Sequence, residues 1–365
     1  MIGSNRVPID SVYESTKKNT IMNNLYYENH QWQEGINFRN QAELEKNTVE
    51  NNIFIDDTSI FKDFSNLNFE LSSSASNSID QGIFTGTTHD FNNFQRDQIP
   101  DVGAYEYGSE KEEITPPPVI PEEPPEDDQN GDTTTLQLCR EITTIEDNKN
   151  PIKEIFISPQ GDDTNGDGSQ TNPYKTFSKA SLELTAGSAL RLLPGTYSNM
   201  AWFSFLDLVG TQENPIWIGG YDSENKPVIS GGLEPIKIEK FNYLILHDMI
   251  LKNNVRNAIN LEDGSQYANE TAASHVLIRD VTVENLVKYG SETTSNCVKI
   301  SGVRNFAIIN SKFKDCSSSS PSGSTAIDGV GVHNGLIYNN SFDNMPLVGV
   351  QFKGGSENIE VIGNI

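Results

Sequence analysis

The densest grouping of reactive side chains is Asp328-GVGVHN-Gly335 followed closely by Val350-QFKGG-Ser356. Lys353 or His333 could act there as a general base, with Asp328 as an acid or cation ligand and Gln351 as a polar neighbour. The surrounding glycines would let a polymer chain approach the backbone closely. Lys299 and Arg279 are the next candidates, because each lies between apolar neighbours in a short β-rich run and so reads as facing outward. A third set is Asp163, Asn165 and Asp167, spaced like the start of a Ca²⁺ loop. The twelfth position of that loop is Tyr174, where an EF-hand requires a bidentate Glu, so an EF-hand is excluded. A looser Ca²⁺ site or a plain Asx-turn loop remains. The sequence carries no HExxH, no GxSxG, no P-loop and no dinucleotide-binding glycine pattern.

Charge narrows the partners. With 51 acidic and 26 basic residues the formal net charge is -25, which repels nucleic acid and anionic membranes. A polyanionic substrate would need a local basic patch or bound cations. No stretch approaches the roughly 20 apolar residues of a membrane span, and residues 1–20 lack the apolar core of a signal peptide. Cys139, Cys297 and Cys316 have no CxxC spacing. Cys297 and Cys316 could pair across neighbouring turns, but buried free thiols are the expected state.

These side chains must be held by strands, since 35% hydrophobic residues and a mean hydropathy of -0.49 suit an elongated protein better than one compact globule. From about Ile152 onward the chain is a series of short β-branched and aromatic segments separated by Asn, Asp, Gly and Ser. Four align when Asn or His is the first position and a large apolar residue the ninth: Asn242 to Ile250, His275 to Val283, Asn305 to Phe313 and Asn334 to Phe342. A fifth copy begins at Asn358, and Ile365 falls one residue before its apolar position. The starts are 33, 30, 29 and 24 residues apart, which suits one solenoid coil per repeat. The recurring Asn253, Asn285, Asn310, Asn340 and Asn364 suit the turns. A β-sandwich is the alternative, but it offers no reason to repeat the ninth-position residue. The expected class is all-β, a right-handed parallel β-helix.

The segment that opens this region resembles the N-terminal cap and first coil of the secreted, pectate-lyase-like β-helix superfamily, through Gly161, Asp163, Gly168, Pro173, Thr176, Ala180, Leu193, Pro194, Gly195 and Tyr197. The N-terminal region resembles the final coils and tail of a bacterial surface β-helix, through Phe69, Leu71, Ser78, Ile79, Asp80, Gly82, Arg96, Asp101, Gly103, Ala104, Tyr105 and Glu106. Between them, Ser109 to Asp128 is nearly all Pro, Glu and Asp. The expected organisation is the end of a first β-helix over 1–108, an acidic linker over 109–150, and the start of a second, truncated β-helix over 151–365.

The resemblance implies a secreted or cell-surface protein acting on polysaccharide. In the lyases of the superfamily a Lys or Arg removes the proton next to a uronate carboxylate, which Ca²⁺ or a basic residue neutralises. The rival expectations are a non-catalytic adhesion module, and an epimerase or glycoside hydrolase. Convergence of Asp328, His333 and Lys353 in one groove favours an enzyme.

Overall fold

The protein is described from a computed structural model. It describes residues 2–4, 9–11, 18–27, 36–38, 45–55, 57–63, 68–85, 90, 94–108, 144–198, 204–266, 269–287, 295–316, 325–345 and 348–365. Cys139 and linker residues 109–143 lie outside them.

The coils have three faces, each a parallel ladder. Strand Lys153–Ile157 starts the back face, followed in hydrogen-bonded order by Ser188–Leu192, Ile216–Gly220, the second half of Ile236–His247, Ala273–Arg279, Arg304–Ile309, His333–Tyr338 and Glu357–Ile362. On the front face stand Ser204–Val209, the first half of Ile236–His247, Ile259–Glu262, Val298–Ser301, Thr325–Val330 and Val348–Lys353. A narrow face stacks Thr196–Ser198, Val228–Ser230, Ile250–Lys252, Thr282–Glu284, Lys312–Lys314 and Ser341–Met345. This is the expected parallel β-helix. Alternate side chains point inward and stack on the rung above, so Leu190, Ile218, Leu246, Ile278, Ile308, Ile337 and Val361 form one buried column.

The repeat is confirmed with one shift. Leu251, not Ile250, stands in register with the buried Val283, which stacks on Phe313 and Phe342. Accordingly the first copy starts at Tyr243, whose ring stacks on His275 at 4.3 Å. Tyr243, His275, Asn305, Asn334 and Asn358 all have positive φ, so the repeat's first position is a left-handed corner.

The two outer segments belong to one stack, not to two successive solenoids. Strand Thr20–Met22 pairs in parallel with Glu357–Ile362, and Thr48–Glu50 follows it. Ile9–Ser11 pairs with Val348–Lys353, and Ile36–Phe38 follows on the front face. Strand Ile2–Ser4 continues the narrow face, with Ile2 in register with Phe342. A buried asparagine ladder crosses the junction unbroken. The backbone N–H groups of Ser311, Asn340, Asn364 and Asn24 donate to the side-chain Oδ1 of Asn340, Asn364, Asn24 and Asn52 in turn, at 2.9 to 3.2 Å. Each amide fills a backbone donor that the corner would otherwise leave buried and unpaired.

Both ends are closed. At the first coil, helix Phe177–Ala180 covers the core, with Thr176 Oγ1 accepting from the Lys179 N–H. At the far end Leu25, Phe61, Phe69, Leu71, Val102, Ala104, Tyr105 and Ile365 pack into one apolar plug. Arg96 lies beneath it, donating to the carbonyls of Asp101 and Gly103 and to Glu106 Oε2. Burial raises the Asp101 carboxyl to about 6 and that of Glu106 to about 7. The residues of both family resemblances are thus the two caps of one β-helix.

Cys297 and Cys316, expected as free thiols, form a disulfide with Cα atoms 5.2 Å apart. They flank a complete coil, comprising Val298–Ser301, Arg304–Ile309 and Lys312–Lys314, and clasp it into a ring. The 19-residue separation in sequence hid a distance that one turn of the solenoid removes.

Candidate functional site

Strand alternation on the front face places Lys237, Asn260, Lys299, Asp328 and Gln351 in one register row on five successive rungs. The neighbouring row carries Glu239, Glu262, Ser301, Val330 and Lys353. Three of the five residues expected to be catalytic therefore meet.

Asp328 is the centre, with only 4% of its surface exposed. Lys353 Nζ lies 2.8 Å from its Oδ1, an ion pair outside hydrogen-bonding directions, so that oxygen has no hydrogen-bond donor among the described residues. Lys353 donates instead to Gln351 Oε1 at 3.2 Å. From the other side Lys299 Nζ stands 3.9 Å from Asp328 Oδ2, too far for a hydrogen bond. One buried carboxylate is thus flanked by two half-exposed ammonium groups, and the local sum is positive on a strongly acidic protein. Two rungs above Lys299, Lys237 is held by Glu239 at 2.9 Å and Glu262 at 3.1 Å. Burial opposes its charge, but the two carboxylates outweigh burial and raise its pKa. Glu234, buried beside it, accepts from Asn257 and Asn260.

His333 does not join them. The corner at Gly331, with φ of +60°, turns the chain from the front face to the back. His333 consequently stands in register between Arg304 and Glu357. Burial, and then the Arg304 charge, lower its pKa. The intended groove of Asp328, His333 and Lys353 is replaced by Lys299, Asp328, Gln351 and Lys353.

Arg279 is on the back face too, held by three carboxylates. It donates to both oxygens of Glu146, at 2.5 and 2.8 Å, to Asp248 at 2.8 Å and to Asp280 at 3.0 Å. Trp217 Nε1 also donates to Glu146, so the segment from Thr144 is fastened across the sheet. Burial works against each charge here, yet the hydrogen bond from His247 and the Arg279 charge bring Asp248 down to about 2. Beside this network a cavity of about 360 Å³ opens between Thr144, Ile145, His275, Asn305, Asn334 and Glu360. It contains none of the five candidates.

Asp163, Asn165 and Asp167 lie in the loop after the first back-face strand, before the front-face rungs begin. Asp163 accepts from the N–H groups of Lys175 and Thr176 and from Thr176 Oγ1, which anchors the capping helix. Asn165 donates to Asp162, and Asp167 accepts from the Ser169 N–H. Asp167 thus forms an Asx-turn, while Asp163 ties the loop to the start of the capping helix. Among the described residues, no group of three or more His, Cys, Asp or Glu side chains converges as metal ligands. The front-face cluster, a single carboxylate between two ammonium groups, is also a poor donor set for a divalent cation.

Alternation in IKIEK, INLE, VKIS, AIDGV and VGVQFK carries the signal for the front-face row. It was obscured because the distance from row to corner varies: Lys299 to Asn305 is six residues, whereas Asn260 to His275 is fifteen.

No protein-family model matches the chain, and no curated protein matches it. Among solved structures it is similar in fold to a rhamnogalacturonan lyase, at 14% identity and a TM-score of 0.39, over 56% of this chain and 62% of that one. It also resembles a mannuronic acid specific polysaccharide family 6 lyase from human gut microbiota, at 17% identity and a TM-score of 0.36, over 58% and 59%. A GH136 lacto-N-biosidase from Eubacterium ramulus aligns at 14% identity and 0.32, over 52% and 45%. The chain thus spans less than two thirds of each of these three. No helix among the described residues is long and apolar enough to cross a membrane.

Proposed function

We propose that this protein binds an acidic polysaccharide along the front face and cleaves it by β-elimination. The observation that carries this reading is the placement of Lys299 and Lys353 on either side of the buried Asp328. Asp328 holds Lys353 by charge, and Lys353 with Gln351 then meets the uronate carboxylate. A protonated lysine at that point lowers the cost of negative charge on the adjacent carbon. Lys299, which has no hydrogen-bonded carboxylate among the described residues, takes the proton from that carbon through its neutral amine form and becomes the ammonium. The electron pair forms the carbon–carbon double bond as the β carbon–oxygen bond breaks, and the leaving oxygen collects a proton from solvent. No step requires a metal ion. Strands stacked at ~4.8 Å present this face as a flat row suited to a repeating polymer.

The Cys297–Cys316 disulfide supports an oxidising location, and hence a secreted or cell-surface protein. The test of activity is incubation of the full chain with pectate, alginate, rhamnogalacturonan and glycosaminoglycans. Unsaturated, ultraviolet-absorbing ends should appear with at least one. Their absence from all four would sink the lyase reading.

One observation favours a second reading, a glycan-binding surface without turnover: Lys237 and Lys353 are both already matched by carboxylates. Retention on an acidic glycan column with no product would select it.

A further inference from the structure

The face presented by the rung Glu357–Ile365 accepts a coil through contacts that involve no covalent link to it. Asn364 donates from its backbone and its side chain to Asn24 Oδ1, both at 3.1 Å. Asn24 Nδ2 returns a bond to the Val361 carbonyl at 3.0 Å, and the Ile359 N–H donates to Asn19 Oδ1 at 2.9 Å. Lys18 pairs with Glu357 at 2.9 Å, and Leu25 packs with Ile365 in the terminal plug. The acceptor and the coil on it are 340 residues apart in sequence, joined around the other way through a long connection.

That connection is much longer than the closure needs. Thr48–Glu50 and Ala273–Arg279 stand five back-face rungs apart, roughly 24 Å at ~4.8 Å per rung. Thirty-five residues, 109 to 143, separate Gly108 from Thr144 and reach up to ~110 Å when extended. An over-long tether dilutes the internal partner, because effective concentration falls with roughly the −3/2 power of length once the span is exceeded. The same two surfaces in two copies make identical contacts.

We infer that this junction exchanges between molecules: residues 18–108 of one copy dock on the Glu357–Ile365 rung of a second copy and close its solenoid. The exchange reaches the candidate site as well, because strand Ile9–Ser11, which pairs beside Gln351, precedes residues 18–108 in the chain and is carried along with them. It is independent of whether the site is catalytic, since it rests on the ladder and on the length of the connection.

The test uses the full chain carrying Thr20→Cys and Glu360→Cys, with Cys139→Ser to remove the third thiol. Thr20 and Glu360 are in register on adjacent rungs, a Cα separation of ~4.8 Å that a disulfide spans. Refolded at about 5 μM, it should crosslink within one chain; at about 500 μM, approaching the effective concentration of the tether, crosslinks between chains should appear as reducible dimers and larger species. Only intrachain crosslinks at both concentrations, or none at either, would overturn the proposal. Light scattering on the unsubstituted chain, refolded at the same two concentrations, is the second arm. A dimer at the higher concentration is expected there, and a monomer at both overturns exchange.

Discussion

The front-face cluster around Asp328 and the back-face cluster around Arg279 are built from the same residue types on the same kind of strand, yet they differ in how much bonding capacity is spent. Arg279 gives four of its five donors to three carboxylates, and a tryptophan shares one of those carboxylates, so little is left for a ligand. At Asp328 the buried Oδ1 is met by the Lys353 ammonium alone among the described residues, in an ion pair at 2.8 Å, and Lys299 Nζ lies beyond hydrogen-bond reach of the other oxygen. A dense polar network that is nearly fully satisfied is a fastening. One that is left incomplete on an open face has chemistry to offer.

Substitution separates the two most sharply. Lys299→Met should lower β-elimination turnover by about 10²- to 10⁴-fold with little change in melting. Arg279→Met should leave turnover within a few-fold while costing about 3 kcal/mol, because three carboxylates lose their shared cation. Turnover assays and denaturant titrations of both variants check this; the opposite pattern would reverse the assignment of the faces. The next effect in size concerns the coil that carries Lys299. Replacing Cys297 and Cys316 with serine should cost about 3 kcal/mol, for a closed loop near 20 residues. Thermal melting under reducing and non-reducing conditions measures it in the unsubstituted protein.

Chelation sharpens the comparison differently. If charge at the front face is met by Lys353 and Lys299, a chelator should leave the rate of product formation unchanged. A loss restored by Ca²⁺ would move the neutralising role to a cation. A further effect is expected from pH at the far cap. Asp101 and Glu106 hold protons in the folded state up to about 6 and about 7, which the unfolded chain releases near 4. Stability therefore falls as pH rises through that window from pH 5 to pH 8. Melting curves at the two pH values test the sign.

Much of the fold was legible because a solenoid repeats its inward positions. Val283, Phe313 and Phe342 appear at the ninth place of their repeats for the same reason that they stack in the core. The cap motifs were equally readable, since Gly82 and Gly161 stand where a Cβ would strike the carbonyls of Pro100 and Tyr174. The site was only half legible. Alternation marks Lys299 and Lys353 as outward, but the neighbour of an outward residue is set by coil length, which varies.

By itself the sequence determined the parallel β-helix, the two kinds of cap and the candidate status of Asp328, Lys299 and Lys353. Local pattern suffices for these, because each coil buries the same positions against the next. Only the tertiary structure decided that the two end segments close a single stack, that His333 and Arg279 lie on another face, and that Cys297 meets Cys316. Those depend on which rungs are neighbours in space, and that order is fixed by register and by ladders such as Asn340, Asn364, Asn24 and Asn52, not by distance along the chain.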